Sequence, residues 1–217
     1  MTSPAPSGAP AGWTVLAPVK RLEGAKTRLS TRPAGVRRDL ALAFAIDTVD
    51  AALAVPEVDR VLAITDDDAV REAMDSLGAA WVVDEPELDL NGAVSAAAAR
   101  LRREEPGVAL AVLVADLPAL RGDELSRALR AAASVPRGFV ADAAGTGTTL
   151  LTALPGVDLD PRFGPRSRAA HAASGAVALE PGPVPGLRRD VDTEVDLWDA
   201  GRLGVGKATA DALDGTA

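Results

Sequence analysis

Cysteine is absent from this chain of 217 residues, and histidine occurs once, at His171. The first absence excludes disulfide scaffolds, thiolate nucleophiles and cysteine zinc sites. The second excludes a multi-histidine metal cluster or a conventional zinc enzyme. Any metal here has to be hard and held by carboxylates, which means magnesium or manganese. No run of about 18 apolar residues occurs, so no membrane span is expected. Broad positive charge is missing too, because Asp and Glu outnumber Lys and Arg by 31 to 23, for a net charge of −8. That balance argues against a nucleic-acid partner or an anionic membrane, and an anionic substrate then needs a local cationic pocket. The first twelve residues are rich in Pro, Ala, Gly and Ser, with neither a charged start nor an apolar core. They read as a disordered tail rather than a signal peptide, and the protein is expected in the cytoplasm.

With 47% hydrophobic residues the chain can bury a substantial core. One domain is expected over residues 13–210, with a flexible end at 211–217. Residues 14–20 form an apolar run suited to a buried strand, and the next nine residues place Arg21, Lys26, Arg28 and Gly24 in a loop that could cradle phosphate. A solvated basic loop explains the same residues equally well. Val36, Leu40, Ala43 and Phe44 recur at helical spacing after Pro33, which predicts a helix over Ala34–Leu53. Strands follow at 60–64 and Ala80–Val83, separated by a helix at 69–77 that Asp66 to Asp68 open as caps and Gly78 closes. An Ala-rich helix is expected at 93–103. The continuous apolar run 108–115 suits a central strand covered on both faces.

Further alternation comes from a helix at 122–133 and strands at 138–141 and 150–154. The final third is less regular: a Pro-rich loop enters a short helix ending near Ser174, a strand is expected at 176–179, another ends at 189–192, and a helix spans 193–200. The pattern implies an α/β fold, a three-layer, doubly wound, mostly parallel sheet with some antiparallel strands late in the chain. Ligands of such sheets bind outside the carboxyl ends of strands, which is where Asp116 falls. Asp190 and Asp192 are two apart, so an extended backbone would point both carboxylates the same way, toward one cation. Asp192 also suits a helix cap, and Thr193 with Asp196 resembles a capping box. Gly164 to Ser167, flanked by Arg162, Arg166 and Arg168, could donate to a phosphate or carboxylate, or be surface charge. His171, four residues beyond Ser167, reads as a partly exposed polar side chain.

Taken in order, Pro18-Val-Lys20, Ala25-Lys26-Thr27-Arg28-Leu29, Ala115-Asp116-Leu117-Pro118, Gly145-Thr-Gly-Thr148, Arg162-Phe-Gly164-Pro-Arg-Ser167 and Asp190-Val-Asp192-Thr193 resemble the guanylyltransferases of deazaflavin coenzyme F-420 biosynthesis. That resemblance implies a nucleotidyltransferase fold of the molybdopterin guanylyltransferase type. It implies transfer of a guanylyl group from GTP to phosphoenolpyruvate or 2-phospho-L-lactate, with release of pyrophosphate. It further implies Mg²⁺ on Asp116, Asp190 and Asp192, and the three-carbon acid on Thr148, Gly164 and Ser167. Lys20, Lys26 and Arg28 would face the triphosphate and Asn91 the guanine. One departure is Ala115, where the family usually has Gly. The oligomeric state is not legible, and a sugar-phosphate or molybdopterin nucleotidyltransferase, or an inactive nucleotide-binding module, fits the same pattern.

Overall fold

A computed structural model describes residues 10–84 and 88–215. The tail expected over 1–12 lies outside the described residues through residue 9, as do 85–87 of the polar loop before the Ala-rich helix and 216–217. Where apolar residues run without interruption, both faces of the strand are covered. Every residue of β4 (Ala109–Leu113) is buried, and so is nearly all of β1 (Trp13–Pro18). Successive side chains alternate between two cores: Val15 and Ala17 with Ala111 and Leu113 on one face, Leu16 with Leu110 and Val112 on the other. Burying each large aliphatic side chain contributes about 1.5–3 kcal/mol, so two-sided burial makes these strands the centre of the sheet.

Around them the chain alternates as its periodicity dictates. Helix α1 (Ala34–Leu53) follows β1, then come β2 (Val58–Thr65), α2 (Asp68–Leu77), β3 (Ala80–Val83) and α3 (Leu90–Glu104) ahead of β4. Asp67 caps α2 by accepting from the Ala69 and Val70 N–H groups, and Gly78 ends it at φ 75°, a left-handed conformation glycine adopts without strain. After β4 come α4 (Gly122–Ala132), β5 (Arg137–Ala141), β6 (Thr148–Ala153), α5 (Ser167–Ala173), β7 (Val177–Ala178), α6 (Pro185–Arg188), α7 (Glu194–Leu203) and α8 (Lys207–Asp214). The seven strands form one sheet in the order β3-β2-β1-β4-β6-β5-β7. The β1, β2, β3 and β4 pairings are parallel, and β6 runs antiparallel to both β4 and β5. One face carries α1, α2 and α4, and the other carries α3.

One expectation needs correction. No strand ends at 189–192; short helix α6 leads instead into an extended loop, because Glu124, buried on α4, accepts from the Gly186 and Leu187 N–H groups at 3.2 and 2.8 Å and holds that turn. Residues 211–214 of the end expected to be flexible lie in helix α8, which runs to Asp214. Buried Asp47 of α1 explains this by accepting from the Ala208 and Thr209 N–H groups, both at 2.9 Å, and so capping α8 from across the fold.

Candidate active site

Parallel strands β1 and β4 are neighbours, so the loops leaving their carboxyl ends meet above the sheet. Asp116 is fixed there from two sides. The hydroxyl of buried Thr48 on α1 donates to the Phe44 carbonyl at 2.7 Å and accepts from the Leu117 N–H at 3.0 Å. The Asp116 carbonyl accepts from the Val191 N–H, also at 3.0 Å. Val191 is fully buried against Leu29, Leu40 and Phe44, so Asp190 and Asp192 flank an apolar anchor and turn the other way. Lys20, Lys26, Asp116, Asp190 and Asp192 consequently line one cleft of about 840 Å³, within the range of small-molecule sites.

Charge in this cleft is unbalanced. The Lys26 ammonium lies 2.5 Å from Asp116 Oδ2 and 3.1 Å from Asp192 Oδ1. Burial works to depress its pKa, but Asp116 and Asp192 outweigh burial and the net shift is upward. Lys26 adopts φ 53°, a left-handed conformation uncommon outside glycine, which costs on the order of 1 kcal/mol and is the kind of strain that gathers at functional sites. Asp190 has no such partner among the described residues. Burial first, and then the field of Asp116 with additions from Asp142 and Asp192, raises its pKa to about 7. Asp116 Oδ1 is buried with no hydrogen-bond partner among the described residues. Arg28 is mostly exposed and reaches Asp192 Oδ2 at 3.6 Å from the rim.

The family model described as guanylyl transferase CofC like matches residues 13–171. The chain belongs to this family. Two curated relatives bear the name phosphoenolpyruvate guanylyltransferase. The protein of Streptomyces coelicolor is 53% identical over 91% of this chain and 94% of its own length, and that of Salinispora arenicola is 54% identical over 94% of each. Among solved structures the CofC-like chain resembles a putative nucleotide-diphospho-sugar transferase from Desulfovibrio desulfuricans, with a TM-score of 0.60 at 14% identity over 85% of this chain and 84% of that one. It also resembles 4-diphosphocytidyl-2C-methyl-D-erythritol synthase, with a TM-score of 0.60 at 10% identity over 88% and 97% of the two chains. At such identities these two likenesses speak for the fold.

Membership of a nucleotidyltransferase family suggests a divalent metal. The carboxylates suit one in chemistry, since oxygen donors fit a hard cation, and the unpartnered Asp116 oxygen and the uncompensated charge around Asp190 leave such a cation something to satisfy. Among the described residues, however, no three acidic or histidine side chains close into a ready cage, and Lys26 bridges two of the candidates.

Thr148, Gly164 and Ser167 gather in a second cluster beside the cleft. The Val114 N–H donates to the Thr149 carbonyl at 3.0 Å, so Thr148 begins β6 level with the end of β4 that leads to Asp116. The Gly164 carbonyl accepts from the Ser167 N–H, and the Thr146 carbonyl from the Arg168 N–H, both at 3.1 Å, tying the two loops together. Asn91, expected at the guanine, is tied to the loop that carries Gly164: its side-chain oxygen accepts from the Phe163 N–H at 2.8 Å and its NH2 donates to the Phe163 carbonyl at 2.9 Å, which leaves one N–H and one lone pair.

His171, expected to be a partly exposed polar side chain, is fully buried between Thr148 and the Arg162 backbone. Sequence reading named His171 without its burial and did not point to Thr48, Glu124 or Asp142. The Asp142 carboxylate shapes the Gly-Thr-Gly turn by accepting from the Thr146 and Gly147 N–H groups, each at 2.8 Å. Only the Asp142–Thr146 spacing offered a local signal, that of an Asx-type turn.

Proposed function

We propose that this chain is a phosphoenolpyruvate guanylyltransferase. It joins the guanylyl part of GTP to phosphoenolpyruvate, or alternatively to 2-phospho-L-lactate, and releases pyrophosphate as a step of deazaflavin coenzyme F-420 biosynthesis, with Mg²⁺ as the metal. The observation that carries the reading is the convergence of Lys26 with Asp116, Asp190 and Asp192 in one cleft next to the Thr148 cluster. The names of relatives above 50% identity support the acceptor.

The chemistry asks for no side-chain base. A phosphate monoester has a second pKa near 6 and is mostly dianionic at neutral pH, so its attacking oxygen needs no proton removed. The obstacle is bringing two polyanions together. Asp116, Asp190 and Asp192 would hold the Mg²⁺, which supplies charge neutralisation and in-line alignment between the acceptor and the α-phosphate. Lys26, released from its bridge, and Lys20 would hold the phosphates of GTP and the charge that builds on departing pyrophosphate. Donors from Thr148, Gly164 and Ser167 would orient the acid so that its phosphate faces the α-phosphorus. Positioning of this kind accounts for most of the rate in phosphoryl transfer.

The test is turnover with a panel of acceptors. Incubation with GTP and Mg²⁺ should release pyrophosphate with phosphoenolpyruvate or 2-phospho-L-lactate, and mass spectrometry should find the guanylylated acid. Preference for a sugar 1-phosphate would move the assignment within the fold. GTP binding without product from any acceptor would reduce the chain to a binding module.

A further inference from the structure

The reaction above has no use for a base, yet the only histidine of the chain is fully buried beside the Thr148, Gly164 and Ser167 cluster. Burial first, then the charge of Arg137, pushes its pKa down to about 4, with Asp160 opposing. The ring is therefore neutral near pH 7, carrying one N–H and one lone pair. Which nitrogen holds the proton follows from its neighbours. The Arg162 backbone N–H donates to Nε2 at 2.9 Å. An amide N–H can only donate, so Nε2 carries the lone pair and the proton sits on Nδ1. Nδ1 lies 2.9 Å from Thr148 Oγ1 and must donate to it. Phe163 packs its ring edge-on at 5.2 Å and Phe139 lies tilted at 6.0 Å, so the imidazole is held in this orientation.

The consequence falls on Thr148. A hydroxyl has one hydrogen and two lone pairs. With one lone pair taken by Nδ1–H, its hydrogen is directed away from His171, and no other described residue accepts it. The opposite tautomer would draw that hydrogen onto Nδ1 and leave lone pairs facing outward. Carboxylate and phosphate oxygens of an ionised acid only accept, so the first arrangement attracts such a ligand and the second repels it. We propose that His171 is a positioning residue that sets the Thr148 hydroxyl as a donor to an oxygen of the phosphorylated acid and, through the Arg162 N–H, fixes the loop that carries Gly164. This inference rests on the reading of Thr148, Gly164 and Ser167 as the acceptor site.

Because there is one histidine, ring ¹⁵N NMR of the full chain reports on it alone. At pH 7 the spectrum should show the Nδ1–H tautomer. Adding phosphoenolpyruvate with Mg²⁺ and a non-reacting GTP analogue should shift the Nδ1 resonance, and Mg²⁺ with the analogue alone should not. An Nε2–H tautomer, an imidazolium, or no response to the acid overturns the proposal, whether or not any variant folds. Kinetics separate it from the reading beneath it. Thr148→Val should raise KM for phosphoenolpyruvate about 10- to 100-fold, the worth of a hydrogen bond to a charged group, with KM for GTP unmoved. His171→Gln, whose carbonyl can still accept from Arg162 but which loses the donor at the Nδ1 position, should match it. His171→Asn, whose amide N–H lies nearer the Nδ1 position, should recover most of the loss. If Thr148→Val leaves KM for the acid unchanged, the acceptor reading of Thr148 fails and the proposal with it. If Thr148→Val raises KM while His171→Gln does not, only the proposal fails.

Discussion

The two halves of the site use opposite physics. In the cleft, like charges are crowded: Asp116, Asp190 and Asp192 lie around the buried Lys26 ammonium, one carboxylate oxygen has no partner among the described residues, and Asp190 is driven toward its neutral form. In the cluster around His171 the polar atoms are matched, Nδ1 with Thr148, Nε2 with Arg162 and Asn91 with both polar atoms of the Phe163 backbone. The first region is left unsatisfied by the protein's own groups, whereas the second is largely complete. The contrast suits the proposed division of labour, in which a carboxylate-held cation and the lysines would neutralise the polyanions and preformed hydrogen bonds would orient the smaller one.

The largest expected effect lies in the cleft. Asp116→Asn keeps the shape but removes the charge, and pyrophosphate release should fall on the order of 10³-fold, the several kcal/mol attributed to metal-assisted charge stabilisation. Undiminished turnover with a normal melting curve would take Asp116 out of the centre. Next comes acid stability. His171 titrates near 4 when folded and about 6.5 when unfolded, so the unfolded chain binds more protons between those values. Stability should therefore fall by roughly 3 kcal/mol as pH drops from 6.5 to 4 and level off below. Denaturant titrations of wild type and His171→Gln should differ in slope across that window; parallel curves would contradict the buried neutral imidazole.

Asp190 carries the opposite sign. Its raised folded pKa means that the metal-free protein is penalised as pH rises through 7. Asp190→Asn should stabilise the metal-free protein at pH 8 by on the order of 2 kcal/mol after discounting for solvent screening, while turnover is lost. A destabilised variant would show that the charge is already compensated. The smallest change is expected at Asn91→Ala, which strands the N–H and carbonyl of Phe163 and should cost about 1–2 kcal/mol. KM for phosphoenolpyruvate should rise with KM for GTP unchanged; a selective rise in the GTP constant would return Asn91 to the nucleotide.

What was readable in the chain followed a rule of locality. Helix α1 starts at Ala34 after Pro33 and ends at Leu53, and β3 spans Ala80–Val83, as periodicity and breakers required. Asp67 and Thr193 cap the helices that follow them, because a cap bonds within three residues of itself. The Asp116 and Asp190-Val-Asp192 positions were legible from strand ends and i, i+2 spacing, although the backbone at 189–192 is a loop braced by Val191 rather than a strand. Helix α8 was not legible, since the carboxylate that caps it, Asp47, lies 161 residues before Ala208. Nor was the burial of His171, whose partners come from the end of one strand and the entry of a loop.

The sequence by itself determined the class of chemistry: with no thiol and one imidazole, carboxylates, lysines, arginines, hydroxyls and backbone donors were left to handle phosphates. It also determined the layered sheet, because unbroken apolar runs have to be covered on both faces. The tertiary structure alone decided which polar groups are spent and which are free. Whether Asn91 meets a base or a loop, whether Lys26 bridges carboxylates, and which ring nitrogen of His171 keeps its proton all depend on atoms many residues away, and hydrogen-bond valence is settled only when those atoms share a place in space.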